Sequence, residues 1–250
     1  MSEIIIDIKN LSKIYSDKVG YKIHLLENIS LSITKGEFST ILAPKGSGKT
    51  SLLKIISDLE EPTSGTIKSE VKKVAFIPSK PSSFPWLNVE DNIKFASKIN
   101  VDEITEIIEL VGLTGYEDHF PHNKSEGFRF RISLARAMAY KPDVIVIDEP
   151  FNNLNSITRE EIYFILRTLK DKKDMTIILG STSITEAIYL SDKIFIMKSN
   201  PGEIIDKMEI SFSTKRNIEI IQKEEFKNYR NKIEKIFKEK SNKALHSISV

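Results

Sequence analysis

Residues 38–56 constrain the fold of this 250-residue chain more than any other segment. A short apolar run at 38–42 leads into a glycine-rich loop, residues 43–50, which reads APKGSGKT, and an apolar helical pattern follows at 52–56. A loop of this kind between a strand and a helix predicts a phosphate-binding loop, because backbone N–H groups and the helix N-terminus bind phosphate oxygens. A glycine-rich turn without a ligand is the alternative, and the flanking strand and helix disfavour it.

Four residues of this loop match the phosphate-binding pattern: Gly46, Gly48, Lys49 and Thr50. The lysine brings a positive charge to the β- and γ-phosphates, and the threonine hydroxyl is a ligand for Mg²⁺. Ala43 stands where the pattern usually has its first glycine. We expect the loop to tolerate this one added Cβ atom.

A second motif follows the apolar run at 144–147, which ends in Asp148 and Glu149. Such a run is typical of a strand buried on both faces of a parallel sheet. An aspartate at the carboxyl end of that strand is placed to hold Mg²⁺, and the glutamate beside it is placed to orient or deprotonate an attacking water. Alone, the pair predicts only a helix cap; with the phosphate-binding loop, it predicts a nucleotide hydrolase.

The alternation of strand and helix patterns along the chain favours an α/β fold with a mostly parallel sheet. The predicted strands are 4–8, 25–33, 38–42, 71–77, 144–147, 176–179 and 193–197, and the predicted helices include 130–138, 158–169 and 185–190. With the phosphate-binding loop, this alternation predicts a nucleotide-binding α/β core at 1–78 and 142–212. An antiparallel β subdomain forms its N-terminal part, a helical subdomain is inserted at 79–141, and a basic helical tail follows at 213–250.

Composition sets the broad class of the protein. Hydrophobic residues make up 40% and charged residues 29%, which is ordinary for a globular chain, and the absence of cysteine removes disulfides, thiolate zinc sites and cysteine nucleophiles. No apolar run approaches the roughly 18 residues that span a bilayer, and the N-terminus lacks the pattern of an export signal. We expect a protein that neither crosses a membrane nor is exported.

The tail from residue 211 to residue 250 is basic, with ten Lys or Arg against five Asp or Glu. This charge could bind nucleic acid or anionic lipid. A solvated helix with Phe226, Tyr229, Ile233 and Phe237 on its buried face is the favoured interpretation, because acidic residues interleave and the apolar spacing is helical.

These motifs and their surroundings resemble the ATP-binding subunits of ABC transporters, most closely those of nitrate, sulfonate and taurine importers. The resemblance runs from Ile4 to about Phe237, and it implies that the α/β core has the P-loop NTPase (RecA-like) fold. Besides the two motifs, it rests on GEF at 36–38, LEEPTSG at 59–65, FPWLNV at 84–89, ARA at 135–137, DEPF at 148–151 and EAIYLSD at 186–192.

The resemblance implies a role for each site residue. Glu149 is implied as the catalytic residue, and Thr50 and Asp148 as the Mg²⁺ ligands. Tyr15 matches the aromatic residue that stacks on adenine; from its place near the end of a strand alone, packing in the core is an equally open interpretation. Ser125 and Gly127 match two positions of the signature loop, which reaches the γ-phosphate on the other subunit of a dimer. The implied ATP-binding residues are Tyr15, Lys45, Gly46, Ser47, Gly48, Lys49, Thr50, Ser51, Ser125 and Gly127.

The resemblance also implies partners and a location. The partners are a second ABC subunit, identical or paralogous, an integral-membrane permease and, indirectly, a solute-binding protein; nucleic acid is not expected. The protein would be cytoplasmic and peripheral on the inner face of the cell membrane. Trp86 lies where the family docks the permease, and packing in the core is an equally open interpretation of this residue.

Four motifs depart from the family pattern. The signature Leu-Ser-Gly-Gly-Gln is KSEGF at 124–128, and a carboxylate at Glu126 about 6 Å from a γ-phosphate would cost about 3 kcal/mol. Ser79 occupies the position of the family's glutamine, which senses Mg²⁺ and the attacking water. Asn155 replaces an aspartate of the family pattern, and Thr182 replaces the switch histidine.

Realignment does not recover the missing residues. The one glutamine of the chain is Gln222, and the four histidines are His24, His119, His122 and His246, all outside the expected segments. We expect His119 and His122 to be surface residues. Losing one preorganised donor to a developing charge costs about 10²–10³ in rate, so slow hydrolysis is predicted.

Two functions remain. The first is an importer subunit that binds Mg-ATP in a dimer and hydrolyses it slowly; the second is an ABC subunit that binds ATP for regulation or assembly without useful hydrolysis. Retention of Glu149 favours the first, and the four departures favour the second. A P-loop kinase or GTPase is disfavoured, because neither an acceptor-substrate site nor a base-reading Lys-Asp motif is found.

Overall fold

A computed structural model of the chain describes residues 3–16, 19–96, 98–214 and 216–246. It divides the chain into two compact units, Met1–Glu70 with Ile178–Val250, and Val71–Ile177. The elements are, in chain order, β1 (Ile4–Ser16), β2 (Lys22–Thr34), β3 (Phe38–Leu42), α1 (Lys49–Ile56), β4 (Ser64–Ser69), β5 (Val74–Ile77), α2 (Val89–Ala96), α3 (Val101–Leu110), α4 (Glu126–Ala139), β6 (Val144–Asp148), α5 (Ser156–Lys173), β7 (Thr176–Ser181), α6 (Ile184–Leu190), β8 (Lys193–Lys198), β9 (Glu203–Glu209), a 3₁₀ helix (Ile218–Gln222) and α7 (Glu224–His246).

The first unit contains an antiparallel sheet with the strand order β2-β1-β4. Ile8 of β1 lies opposite Leu31 of β2 on one side and opposite Ile67 of β4 on the other. Ile8 and Leu31 are buried, and Ile67 is half-buried. A register shift lies between Ile8 and Leu11, where Asn10 has a φ of 50°. Asparagine adopts this left-handed conformation more readily than most residues, so it suits a bulge.

A second sheet of the first unit carries the phosphate-binding loop. Its hydrogen-bonded strand order is β7-β3-β8-β9, and β3 is buried along its whole length. β3 and β8 are parallel, with Leu42 opposite Ile196, whereas β9 is antiparallel to β8. The carboxyl end of β3 leads directly into residues 43–48, as the apolar run at 38–42 predicted.

In the second unit β5 and β6 pair in parallel, with Val74 opposite Val144 and Ile77 opposite Ile147. The helices α2, α3 and α4 pack together around buried side chains such as Ile93, Ile108 and Phe130. Residues 144–148 are all buried, which confirms the prediction of a strand covered on both faces.

The α/β class with a mostly parallel sheet and an antiparallel N-terminal sheet is confirmed. Two strands were not predicted, β4 and β9, because neither has the apolar pattern of a buried strand; most β4 side chains are exposed. The predicted strand at 71–77 begins only at Val74, since the backbone N–H groups of Lys72 and Lys73 donate to Asp143 Oδ2 at 2.8 and 2.9 Å.

The helical segment at 79–141 lies within the second unit, and its bounds as a subdomain stay a prediction. In the tail, Phe226 and Ile233 are buried and Tyr229 and Phe237 are half-buried, as the helical spacing predicted. Among the residues that the structure describes, no helix combines the length and the apolar character needed to cross a membrane.

Candidate functional site

The backbone of the loop at residues 43–48 bends at two glycines. Gly46 has a φ of 78° and Gly48 a φ of 86°, both in the left-handed region that favours glycine. A Cβ atom at Gly48 would lie 2.8 Å from Leu26 Cδ2 and 2.9 Å from Leu25 Cγ, so a larger residue does not fit. Ala43, in contrast, is buried, its φ is not positive, and its N–H donates to Ser181 O at 3.1 Å, which explains why alanine is tolerated.

The N-terminus of α1 is suited to an anion. Its N-cap is Gly48, which makes no side-chain cap, and its first turn carries no acidic residue. A Cβ atom built at Gly46 meets nothing within 4 Å, so the loop leaves space above its backbone. Lys49 is 4% exposed at the start of the helix, whereas Thr50 is exposed. Backbone dipoles, a buried cation and open space together form a cradle for phosphate.

Gly202 supports this loop and was not predicted from the sequence. A Cβ atom there would lie 2.2 Å from the Ser47 carbonyl oxygen, so only glycine permits the approach. Its N–H donates to Leu25 O at 2.9 Å, and its carbonyl accepts from Glu27 N at 2.9 Å. The pair Pro201-Gly202, typical of a turn, was the available signal.

Tyr15 lies next to the phosphate-binding loop in the first unit. Its hydroxyl lies 3.2 Å from Ser51 Oγ and donates a hydrogen bond to the carboxylate of Glu60. The residue as a whole is 40% exposed. Lys13 Nζ lies 5.0 Å from the centre of the Tyr15 ring. The structure thus brings the predicted adenine platform and Ser51 together, and adds Lys13 and Glu60, which the sequence analysis did not single out.

Asp148 is the last residue of β6 in the second unit, and Glu149 follows it directly. Asp148 is 3% exposed, and Glu149 is half-buried with a φ of 42°, an unusual conformation for a residue other than glycine. Asn152 Nδ2 donates to Glu149 Oε2 at 2.6 Å, which fixes the carboxylate. Asn152 was not predicted as a site residue; its position three residues after Glu149 was the only signal.

Ser125 and Gly127 lie at the start of α4. Ser125 is the N-cap, and its hydroxyl accepts from Phe128 N at 3.3 Å. Gly127 is buried, and a Cβ atom there would lie 2.2 Å from Thr158 Cγ2, so this glycine lets α4 approach the first turn of α5. Glu126 is half-buried between them.

Asn155, which replaces the aspartate of the family pattern, caps α5. Its side-chain oxygen accepts from Thr158 N at 2.9 Å. Asparagine and aspartate are equally good in this position, so the departure preserves the local structure and removes a negative charge.

Ser79 and Thr182, which replace the glutamine and the histidine, are both exposed. Around Thr182, Ser181 donates to the carboxylate of Glu186, and Ser183 N donates to Ser181 Oγ at 2.9 Å. Ser183 also caps α6. The turn that carries Thr182 is therefore held by its own side-chain hydrogen bonds.

Trp86 is 69% exposed and stacks on Phe84 with 5.3 Å between the ring centres, so core packing is the wrong interpretation of this residue. His119 and His122 are exposed, as predicted. Within the described ranges, no group of three or more His, Cys, Asp or Glu side chains is arranged to hold a metal ion by itself.

Comparisons with known proteins show the family of the chain. A family model described as ABC transporter matches residues 26–152. The aliphatic sulfonates import ATP-binding protein SsuB of Bacillus subtilis is 37% identical over 211 residues, covering 79% of this chain and 82% of that protein. An ABC transporter ATP-binding protein of Methanocaldococcus jannaschii is 32% identical over 252 residues, covering 95% of this chain and 93% of that protein.

A solved structure shares the fold. It is a dimeric ATP-binding cassette in a post-hydrolysis state, bound to ADP and Pi, with a TM-score of 0.72 and 25% identity, and the match covers 83% of this chain and 100% of that one. The phosphate-binding loop, the acidic pair after β6 and these matches lead to one assignment. The chain belongs to the ATP-binding proteins of the ABC transporter family.

Proposed function

We propose that this protein is the ATP-binding subunit of an ABC importer, which binds Mg-ATP in a dimer and couples binding and slow hydrolysis to transport through a membrane permease. The observation that carries the proposal is the N-terminus of α1, which has a glycine N-cap, no acidic residue in its first turn and a buried lysine. That arrangement suits the phosphates of a nucleotide.

In this proposal the loop binds the triphosphate through its backbone and Lys49. Lys45 and Gly46 are exposed at the outer side of the loop, where they can reach the phosphates, while Ser47 is buried beneath it. Tyr15 stacks on the base, and its contact with Ser51 keeps base and phosphate sites close together in the first unit.

The side chains proposed for Mg²⁺ are the Thr50 hydroxyl and the Asp148 carboxylate. Hydroxyl, carboxylate and phosphate oxygens are the ligands that this ion prefers, so the donor set fits. When bound, Mg²⁺ neutralises charge on the β- and γ-phosphates. Thr50 is exposed on α1, and Asp148 ends a fully buried strand, which fixes its position.

Glu149 is proposed to orient and deprotonate the attacking water. The hydrogen bond from Asn152 holds one of its carboxylate oxygens, and the left-handed backbone at this residue sets the direction of the side chain. A carboxylate fixed before the reaction begins is an effective general base.

Slow hydrolysis follows from the other loops. In a dimer, Ser125 and Gly127 would face the ATP of the second subunit, and Glu126 would bring a negative charge toward its γ-phosphate. A paralogous partner with an ordinary signature loop would repair one site, but neither pairing replaces Ser79 and Thr182 in this chain. Binding is retained and transition-state stabilisation is weakened, so the rate falls more than the affinity.

The proposed partners are a second ABC subunit, the permease and, through the permease, a solute-binding protein. Trp86 and Phe95 are 69% and 66% exposed, and both rings pack on Phe84, so this aromatic surface supports docking to the permease. The proposed location is cytoplasmic, on the inner face of the cell membrane. Because several relatives are named for aliphatic sulfonate import, that solute class is the first to test.

The test is steady-state phosphate release by the purified protein and by Glu149→Gln. We expect the variant to lose about 10²–10⁴ of the rate, the usual contribution of a general base, while Mg-ATP still binds. Equal rates for the two proteins would favour the second function, an ABC subunit that binds ATP for regulation or assembly. Failure of the unmodified protein to bind ATP would overturn both.

A further inference from the structure

The hydroxyl of Tyr15 contacts residues near both ends of α1. Ser51 lies in the first turn of the helix, with its Oγ atom 3.2 Å from the Tyr15 hydroxyl. Glu60 follows the last turn, and its carboxylate accepts a hydrogen bond from the same hydroxyl. The ring of Tyr15, which lies near the end of β1, is therefore tied to the helix that begins at the phosphate-binding loop.

Lys13 completes this arrangement. Its Nζ atom lies 3.0 Å from Glu60 Oε1, donates to Glu61 O at 2.7 Å, and lies 5.0 Å from the centre of the Tyr15 ring. The side chains of Lys13 and Glu60 are 14% and 17% exposed, so the ion pair is largely shielded from water. A shielded ion pair with further hydrogen bonds is more rigid than an exposed one.

Charge fixes the direction of the hydrogen bonds. Burial alone would raise the pKa of Glu60, but the hydrogen bonds from Tyr15 and Lys13 and the charge of Lys13 hold that pKa below its usual range. Glu60 is then a carboxylate at neutral pH and only accepts hydrogen bonds. Tyr15 must donate to it, which leaves the Tyr15 oxygen to accept from Ser51.

We propose that Glu60 and Lys13 are positioning residues for the nucleotide base: they hold the exposed ring of Tyr15 in place for stacking and, through Ser51, in register with the phosphate-binding loop. This inference rests on the proposed function. A ring that is already fixed loses less conformational freedom when a base stacks on it, so the ion pair raises affinity for the base without touching it.

The experiment compares two ligands in the full chain, Mg-ATP and inorganic tripolyphosphate with Mg²⁺, which lacks a base. We expect Glu60→Gln to weaken ATP binding about fivefold and to leave tripolyphosphate binding unchanged. The effect on ATP is smaller than that of losing a whole hydrogen bond to a charged group, because Glu60 acts through Tyr15. KM for ATP should rise by the same factor while kcat stays the same. Lys13→Met should act in the same direction.

Two further variants frame the result. Tyr15→Ala removes the platform itself and should weaken ATP alone by about 10- to 100-fold, as for other base-aromatic stacks. Glu61→Gln is the matched control, because Glu61 takes part only through its backbone oxygen and the substitution removes the same charge one residue away. It should change neither ligand.

The outcomes separate the two proposals. If Tyr15→Ala weakens ATP binding and Glu60→Gln does not, the positioning role is overturned and the proposed function stands. Equal weakening of both ligands by Glu60→Gln would also overturn it, since the residue would then support the phosphate-binding loop. If Tyr15→Ala leaves ATP binding unchanged, Tyr15 is not the platform for the base and the positioning role is overturned with it. If neither ligand binds the unmodified protein, the proposed function is overturned as well.

Discussion

The phosphate-binding loop and the signature loop both lead into a helix, and the two helix starts differ in what covers them. At α1 the N-cap is Gly48, with no side-chain cap and no acidic residue in the first turn. At α4 the N-cap is Ser125, whose hydroxyl accepts from the backbone, and Glu126 adds a carboxylate to the first turn. The first helix end is ready for an anion, and the second already holds a negative charge.

This difference separates two parts of the ATPase cycle. In the proposed function, ground-state binding of a nucleotide would depend on the loop before α1, which keeps the family pattern except at Ala43. Transition-state stabilisation would depend also on the loops that carry Ser79, Glu126 and Thr182, which do not keep it. Interactions that differ between ground and transition state set the rate, so we expect ordinary affinity with slow turnover.

The largest effect is expected at the first helix. Lys49→Ala removes the buried cation and should weaken Mg-ATP binding about 10- to 100-fold, in line with the loss of charge-assisted hydrogen bonds. Isothermal titration calorimetry measures the Kd for Mg-ATP of both proteins. Lys54→Ala is the control, because Lys54 is exposed in the last turn of the same helix. If both variants bind equally well, the phosphates do not lie at the N-terminus of α1.

A smaller effect, of opposite sign, is expected at the second helix. Glu126→Gln removes the carboxylate and keeps the side chain nearly the same size, so turnover at saturating ATP should rise about tenfold, less than the unscreened Coulomb cost of the charge. Glu160→Gln removes an exposed charge from α5 and serves as control. Unchanged phosphate release by Glu126→Gln would show that this charge does not slow the enzyme.

The packing of the second helix start gives a prediction for stability. Gly127→Ala places a Cβ atom 2.2 Å from Thr158 Cγ2 and should lower the free energy of unfolding by about 1–3 kcal/mol. Urea unfolding measures the loss. Thr158→Ser removes the opposing methyl group, so the double variant should recover part of that stability. If the serine brings no recovery, or if Gly127→Ala is as stable as the unmodified protein, the close approach of α4 and α5 is wrong.

The smallest effect concerns pH and the first unit. The pKa of Glu60 is held below its ordinary value of 4.5, so its contribution to stability is present above that value and declines as pH falls through the folded pKa. The difference in Tm between the unmodified protein and Glu60→Gln should therefore shrink at acid pH. Glu61→Gln should lack this dependence, and a difference that stays constant with pH would contradict the ionised form of Glu60.

The buried strands could be predicted from continuous apolar runs, as at 144–147, and the helices from helical apolar spacing, as at 158–169. β4 and β9 could not, because edge strands expose polar side chains and so lose the pattern that marks a strand. The start of β5 depends on Asp143, which takes the backbone donors of Lys72 and Lys73; a contact that distant in sequence leaves no local signal.

Site residues divide in the same way. The loop residues and the acidic pair lie in contiguous motifs, so the sequence alone was enough to propose them as site residues. Gly202, Lys13 and Glu60 reach the site only through the fold, since each acts on a residue far along the chain. The sequence alone shows that no histidine lies near Thr182. The hydrogen bonds of Ser181 and Ser183 that hold this turn are visible only in the structure.

We propose that this chain retains ATP binding while its transition-state stabilisation is weakened. The most direct measurement compares the Kd for Mg-ATP and the rate of phosphate release of the unmodified protein with those of the triple variant Ser79→Gln, Glu126→Gly, Thr182→His. We expect a Kd in the micromolar range or tighter for both proteins and a rise in rate of at least about 100-fold in the variant, the usual effect of restoring one or more hydrogen-bond donors. An unchanged rate in a folded triple variant that still binds ATP, or no ATP binding by the unmodified protein, would contradict it.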